Sequence, residues 1–157
     1  MYRTILLAYD GSRQGHEALH QGAELALLCQ ARVCLLAVVA HELGVALAEA
    51  AAPSDVPERE YQEVRRVLTE GAEELRRAGL SVETRVAAGN PAEEIGRMAR
   101  EVGADLIVVG HREQSALARW WRGSVGASLL AHAPCSLLVA VPGTTAGSGR
   151  TTTSSPY

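Results

Sequence analysis

The residues best able to do chemistry stand where apolar runs stop. Tyr9-Asp10-Gly11-Ser12 closes the first aliphatic run. Gly110-His111-Arg112-Glu113 closes a later one and is followed by Gly123-Ser124-Val125-Gly126. A glycine lets the main chain come close to a ligand. A helix opening at Gly123-Ser124 offers unpaired amides and a positive dipole end to an anion. Between these points, residues 111–122 carry Arg112, Arg119 and Arg122 against Glu113, a local charge that suits a phosphate. A plain strand–loop–capped-helix connection needs the same pattern, so spacing alone leaves both readings open. Asp10 is likewise a ligand contact or a turn and cap residue; its place at a strand end favours the contact.

Other chemistries lack their parts. His111 reads as a solvent-facing loop residue, and no second His or carboxylate stands near it at metal-ligand spacing, so no metal site is expected. Ser124 is not in a Gly-x-Ser-x-Gly elbow, and no triad can be assembled from motifs. The Walker and Rossmann glycine patterns are absent. Without a recognisable base, no catalytic residue is assigned and fast turnover is not expected. Trp120 and Trp121 stand out in a chain with 4% aromatic residues. Adjacent helical residues cannot face one core, so one is expected to pack beneath the loop and the other to cover a ligand or partner, with loop packing of both as the plainer account.

These strand ends are positioned by alternating apolar and helix-period blocks. Residues 3–9 and 32–40 read as buried parallel strands, and residues 13–29 as a helix capped by Ser12. The Ala-rich stretch 41–57 reads as a crossover loop. Tyr61, Val64, Leu68, Ala72 and Leu75 keep helical spacing on the next helix, where Glu73 and Arg77 form a candidate i,i+4 pair and Gly79 is the stop. Residues 80–88 read as an edge strand. Asn90-Pro91-Ala92-Glu93 is a helix start with cap, first-turn proline and capping box; Ile95, Ala99 and Val102 form its buried face. Residues 104–109 read as a central strand, 124–132 as a helix stopped by Pro134, and 136–141 as the last strand. Strands joined by helices run parallel with right-handed crossovers. The expected fold is therefore α/β, a doubly wound parallel sheet with helices on both faces. Its ligand crevice lies at the carboxyl ends of the strands.

Composition narrows the class further. The chain has 157 residues, 47% hydrophobic and 21% charged, enough for one domain with its own core. Phe is absent, so the core must be aliphatic. A net charge of −3 argues against a nucleic-acid partner. No apolar run reaches membrane-span length, and residues 1–4 do not read as a signal peptide. The three cysteines, Cys29, Cys34 and Cys135, form no Cys-x-x-Cys pair and fit reduced thiols in a cytoplasmic protein. Domain boundaries are expected at 1–142, with a disordered Gly/Thr/Ser-rich tail over 143–157.

Several of these segments together resemble the universal stress proteins, over residues 1 to about 142. The resemblance rests on Tyr9-Asp10-Gly11-Ser12, Gly89-Asn90-Pro91, the strand from Asp105 to Val109, Gly110 with Gly123-Ser124 at the family spacing, and His132-Ala133-Pro134-Cys135. It implies a five-stranded sheet in the order 3-2-1-4-5 and a homodimer formed through the last strand, Leu137 to Val141. It also implies a regulatory module of the stress response that binds ATP or AMP, with Mg as an accompanying ion. Asp10, next to Tyr9, would meet the ribose, and the main chain at Val38 the adenine. Gly110, Arg112, Gly123, Ser124 and Val125 would surround the phosphates. The nucleotide-binding members have a second glycine where this chain has Glu113. A non-glycine residue in a left-handed conformation costs roughly 1–2 kcal/mol, and the carboxylate would repel phosphate unless Arg112 or Arg122 neutralises it. The alternative implied by Glu113 is a nucleotide-free dimeric interaction protein of the same family, with the site closed.

Overall fold

The structure is a computed structural model and describes residues 1–40, 58–110 and 132–141. The described elements are β1 (Thr4–Ala8), α1 (Arg13–Cys29), β2 (Arg32–Ala40), α2 (Glu58–Arg77), β3 (Val82–Gly89), α3 (Pro91–Val102), β4 (Leu106–Gly110) and β5 (Ser136–Ala140). All five strands pair in parallel in the order β3-β2-β1-β4-β5. The loop expected over 41–57, all but the last residue of the helix expected over 124–132, and the tail expected over 143–157 lie outside the described residues.

Strand alternation divides the core into two layers. Ile5, Leu7, Val33, Leu35 and Val108 face α1 and α2, which contribute Leu19, Ala26, Leu68 and Leu75. Leu6, Leu36, Ile107 and Val109 face α3, which contributes Ile95, Met98 and Ala99. Helices therefore cover both faces, and the doubly wound α/β reading holds. Without Phe, the layers close by bringing backbones near: a Cβ on Gly22 of α1 would lie 2.2 Å from Leu7 Cδ2. Cys34 is buried in the α3 layer, and burial, then Glu83, pushes its thiol up to about 11. Buried and held as the thiol, Cys34 packs as a small apolar core residue.

The local signals work mostly as read. Ser12 Oγ accepts from Gly15 N at 3.0 Å, and Asn90 Oδ1 accepts from Ala92 N at 3.0 Å. Three details differ. Glu93 makes no hydrogen bond to Asn90; the cap is completed by Asn90 alone. Glu73 and Arg77 do not pair; Arg66 instead bridges Glu63 and Glu70, because one guanidinium reaches both turns. The strand read from residue 104 begins at Leu106. Ala104 N still donates to Ala99 O at the end of α3, and Asp105 N donates to Thr4 O as the chain enters the sheet.

Candidate functional site

The winding direction reverses between β1 and β4, since β1 leads to β2 on one side and β4 lies on the other. The register pairs Leu7 with Val108 on one side of β1 and Ala8 with Leu36 on the other. Tyr9 N continues the ladder to Leu36 O at 2.8 Å, and then β1 stops. β2 runs on to Ala40 and β4 to Gly110. Asp10, Val38 and Gly110 therefore meet at one level, around the notch that doubly wound sheets use for ligands.

Asp10 is placed by a short chain of hydrogen bonds. Gly15 N donates to Ser12 Oγ at 3.0 Å, and the Ser12 hydroxyl donates to Asp10 Oδ1 at 2.6 Å. Ser12 N donates to the same oxygen at 2.9 Å, which makes an Asx turn. The carboxylate lies so close to α1 that a Cβ on Gly15 would be 2.5 Å from Oδ1. The contact and turn roles of Asp10 are thus not exclusive: the turn fixes a carboxylate at the mouth of the notch.

Gly110 has a structural task. A Cβ there would lie 2.4 Å from Gln14 O and 2.8 Å from Gln14 C. The end of β4 and the first turn of α1 therefore touch main chain to main chain. Gly110 is needed for that contact, whatever else approaches it.

Tyr9 is turned away from the notch. Its side chain is 4% exposed and belongs to the layer beneath α1 and α2. The hydroxyl lies 3.1 Å from His16 Nε2 and 3.2 Å from Nδ1, with the two rings 76° apart. Burial, then Glu74, Asp10 and Glu70, pushes the phenol up to about 12, so it stays protonated and is no base at neutral pH. Val38 is half-buried against the α3 layer and paired with Ala87. Its side chain packs in that layer, and the β1–β2 register, continued two residues past Ala8–Leu36, sets its main chain level with Asp10. Arg112, Gly123, Ser124 and Val125 lie outside the described residues, as do His111, Glu113, Trp120 and Trp121.

Gln14, Gly15 and His16 were not singled out from the sequence. Gly15 carried a signal: glycine in a helical turn costs about 1 kcal/mol against alanine, and such a residue often marks a close approach. His16 carried none. Among the described residues, no group of three or more His, Cys, Asp or Glu is placed to hold a metal ion. No described helix is long and apolar enough to cross a membrane.

A five-stranded doubly wound sheet, with a pinned carboxylate and a close-packed glycine at its switch point, defines a Rossmann-like α/β domain. The chain belongs to the universal stress protein family, whose model matches residues 1–141. It is 33% identical to the universal stress protein YxiE of Bacillus subtilis, over 88% of this chain and 99% of that one. Among solved structures it is similar to a universal stress protein family member from Burkholderia pseudomallei, with 32% identity, a TM-score of 0.67 and coverage of 88% and 95%. The universal stress protein of Archaeoglobus fulgidus in complex with dAMP shares the fold at 21% identity, a TM-score of 0.66 and coverage of 88% and 97%. Other neighbours of this fold hold cAMP or AMP.

Proposed function

We propose that this protein is a cytoplasmic, adenine-nucleotide-binding regulatory module of the stress response, taking ATP or AMP at the switch point. The observation that carries the reading is the convergence of the Asp10 carboxylate, the Val38 main chain and the close-packed Gly110 at one strand-end notch. Nucleotides held by neighbours of the same fold support it. Asp10 would accept from the ribose hydroxyls, and the main chain at Val38 would meet the base. Gly110, Arg112, Gly123, Ser124 and Val125 would receive the phosphates, with Mg accompanying ATP. The nucleotide supplies charge and a large bound surface; the chain's own part is to orient it. The module acts as a homodimer through β5, which stands at the sheet's edge and presents an edge row of backbone groups. Light scattering in solution tests that pairing, and a monomeric mass would remove it.

Glu113 favours a second reading, a nucleotide-free interaction protein of the same family. One experiment separates the two. The purified protein is denatured and any released nucleotide identified by mass spectrometry. ATP and AMP are then titrated onto the wild type and Glu113→Gly. Bound adenine nucleotide in the wild type supports the sensor. Binding only in Glu113→Gly, at about tenfold or more over the wild type (~1.4 kcal/mol), supports the closed site. No binding to either protein removes the nucleotide reading.

A further inference from the structure

The two residues flanking Asp10 both rest on one face of α2. Gly11 has φ +72°, and a Cβ on it would lie 2.6 Å from Val67 Cγ1. The Tyr9 ring packs over Gly71, where a Cβ would lie 2.7 Å from Tyr9 Cε1 and 3.0 Å from Cδ1. Val67 and Gly71 are one turn apart, so they share a face. We propose that Val67 and Gly71 are positioning residues for the Asp10 carboxylate, so that the placement of α2 sets how well the strand-end notch receives its ligand.

The geometry leaves Asp10 little independent freedom. Tyr9 is fixed to β2 through its amide and is buried on α2 through its ring. Gly11 is seated on Val67, and Ser12 begins α1. The carboxylate is already pressed towards Gly15. A shift of α2 must therefore move the Asp10 main chain, and the carboxylate must either leave Ser12 or be driven against α1. Sites of this kind tolerate only about 0.5 Å of misplacement. α2 itself supplies no candidate ligand contact, and its other face is exposed, with Arg66 bridging Glu63 and Glu70. Anything that engages that outer face acts on the notch through Val67 and Gly71. The inference rests on the nucleotide reading for its ligand and on the Tyr9–Gly11 contacts for its geometry.

The test uses the full chain with Val67→Ala, Gly71→Ala and, as a control on the exposed side of α2, Thr69→Ala. Hydrogen exchange of the Ser12 amide reports its bond to Asp10 Oδ1. The carbon-13 shift of the Asp10 carboxyl reports its surroundings, and AMP titration reports the notch. We expect Val67→Ala and Gly71→Ala to speed Ser12 exchange and weaken AMP binding, each about tenfold, and to shift the carboxyl signal. The core amides of Leu6 and Ile107 should keep their protection, and Thr69→Ala should change nothing. Val67→Ala only removes atoms, so it reports even where Gly71→Ala fails to fold. Unchanged Ser12 exchange and an unchanged carboxyl signal in Val67→Ala would overturn the proposal. Absence of both AMP and ATP binding in the wild type would overturn the nucleotide-sensor reading alone, because the exchange and carboxyl signals still decide the positioning role.

Discussion

Two aspartates stand at opposite ends of the β1–β4 pair. Asp105, at the amino end, accepts from Arg3 N at 2.9 and 3.1 Å and from Thr4 N at 3.1 Å, joining residues more than 100 positions apart. Asp10, at the carboxyl end, accepts from Ser12, two residues on. The first carboxylate clasps two central strands; the second shapes its own turn. Nearby, Arg32 donates to Thr4 Oγ1 at 2.9 Å and to Val102 O at 3.2 Å, so the amino end is tied by side chains as well. The carboxyl end is closed by a missing side chain, that of Gly110. Among the described residues, the sheet thus keeps side-chain clasps at its amino end and a main-chain contact at its carboxyl end.

The comparison breaks most severely at Gly110. Gly110→Ala forces a Cβ against the Gln14 main chain, which has no flexible tip to yield. We expect a loss of about 3 kcal/mol, at the upper end of ordinary overpacking, read as the midpoint of urea unfolding. Wild-type stability would show that α1 can slide off β4 at no cost and that this end is not closed by backbone contact. Asp105→Ala should follow, at about 2 kcal/mol for the lost charge-assisted bonds. Burial pushes the Asp105 carboxyl up, but the amides of Arg3 and Thr4 outweigh it and hold the group below the usual carboxylate range. A depressed folded value means that its stabilisation is present above the unfolded value of roughly 3.9 and is lost as pH falls below it. The acid limb of the wild-type stability curve should therefore flatten in Asp105→Ala. An unaltered acid limb would place the clasp elsewhere.

The same contrast explains what could be read from the sequence. The sheet order came with the family resemblance, and the layers, caps and strand ends are written in local patterns: aliphatic runs, Ser12, Asn90-Pro91 and the stop at Gly79. Asp10 was legible as a candidate because position at a strand end is itself a local property. The direction of Tyr9 follows the Ile5–Leu7 alternation, but the room for its ring was not legible, because Gly71, a long way down the chain, provides it. Gly110 was legible as a glycine that matters, but its partner Gln14 depends on how α1 crosses the sheet. Glu73 and Arg77 show the opposite failure: the spacing permitted a pair that solvated side chains had little reason to form.

Asp10→Ala sharpens the comparison from the other side. Losing the Asx turn at an exposed helix start should cost about 0.5–1 kcal/mol, well under the cost at Asp105. AMP affinity should fall about tenfold or more, because a placed carboxylate is worth roughly 1.5–3 kcal/mol to a hydrogen-bonded ligand. Calorimetric titration beside urea unfolding gives both numbers on one protein. Equal stability losses at Asp10 and Asp105 would erase the division of labour between the two ends.

The smallest effect on ligand binding is expected at Tyr9. Tyr9→Phe keeps the ring over Gly71 and removes the hydroxyl beside His16. Near neutral pH the cost should be about 0.5–1.5 kcal/mol, that of one hydrogen bond. AMP binding should be unchanged, because the side chain lies in the core layer and not in the notch. The alkaline limb carries the sharper signature. The folded phenol holds its proton to about 12, burial being the first cause, whereas an unfolded tyrosine releases it near 10. The folded state therefore binds more protons between those values, and stability falls as pH rises through them. Tyr9→Phe should lose that slope, measured by urea unfolding at stepped pH from 9 to about 11.5. A slope kept in the variant would assign it to another group, and a loss of AMP affinity would return the Tyr9 side chain to the notch.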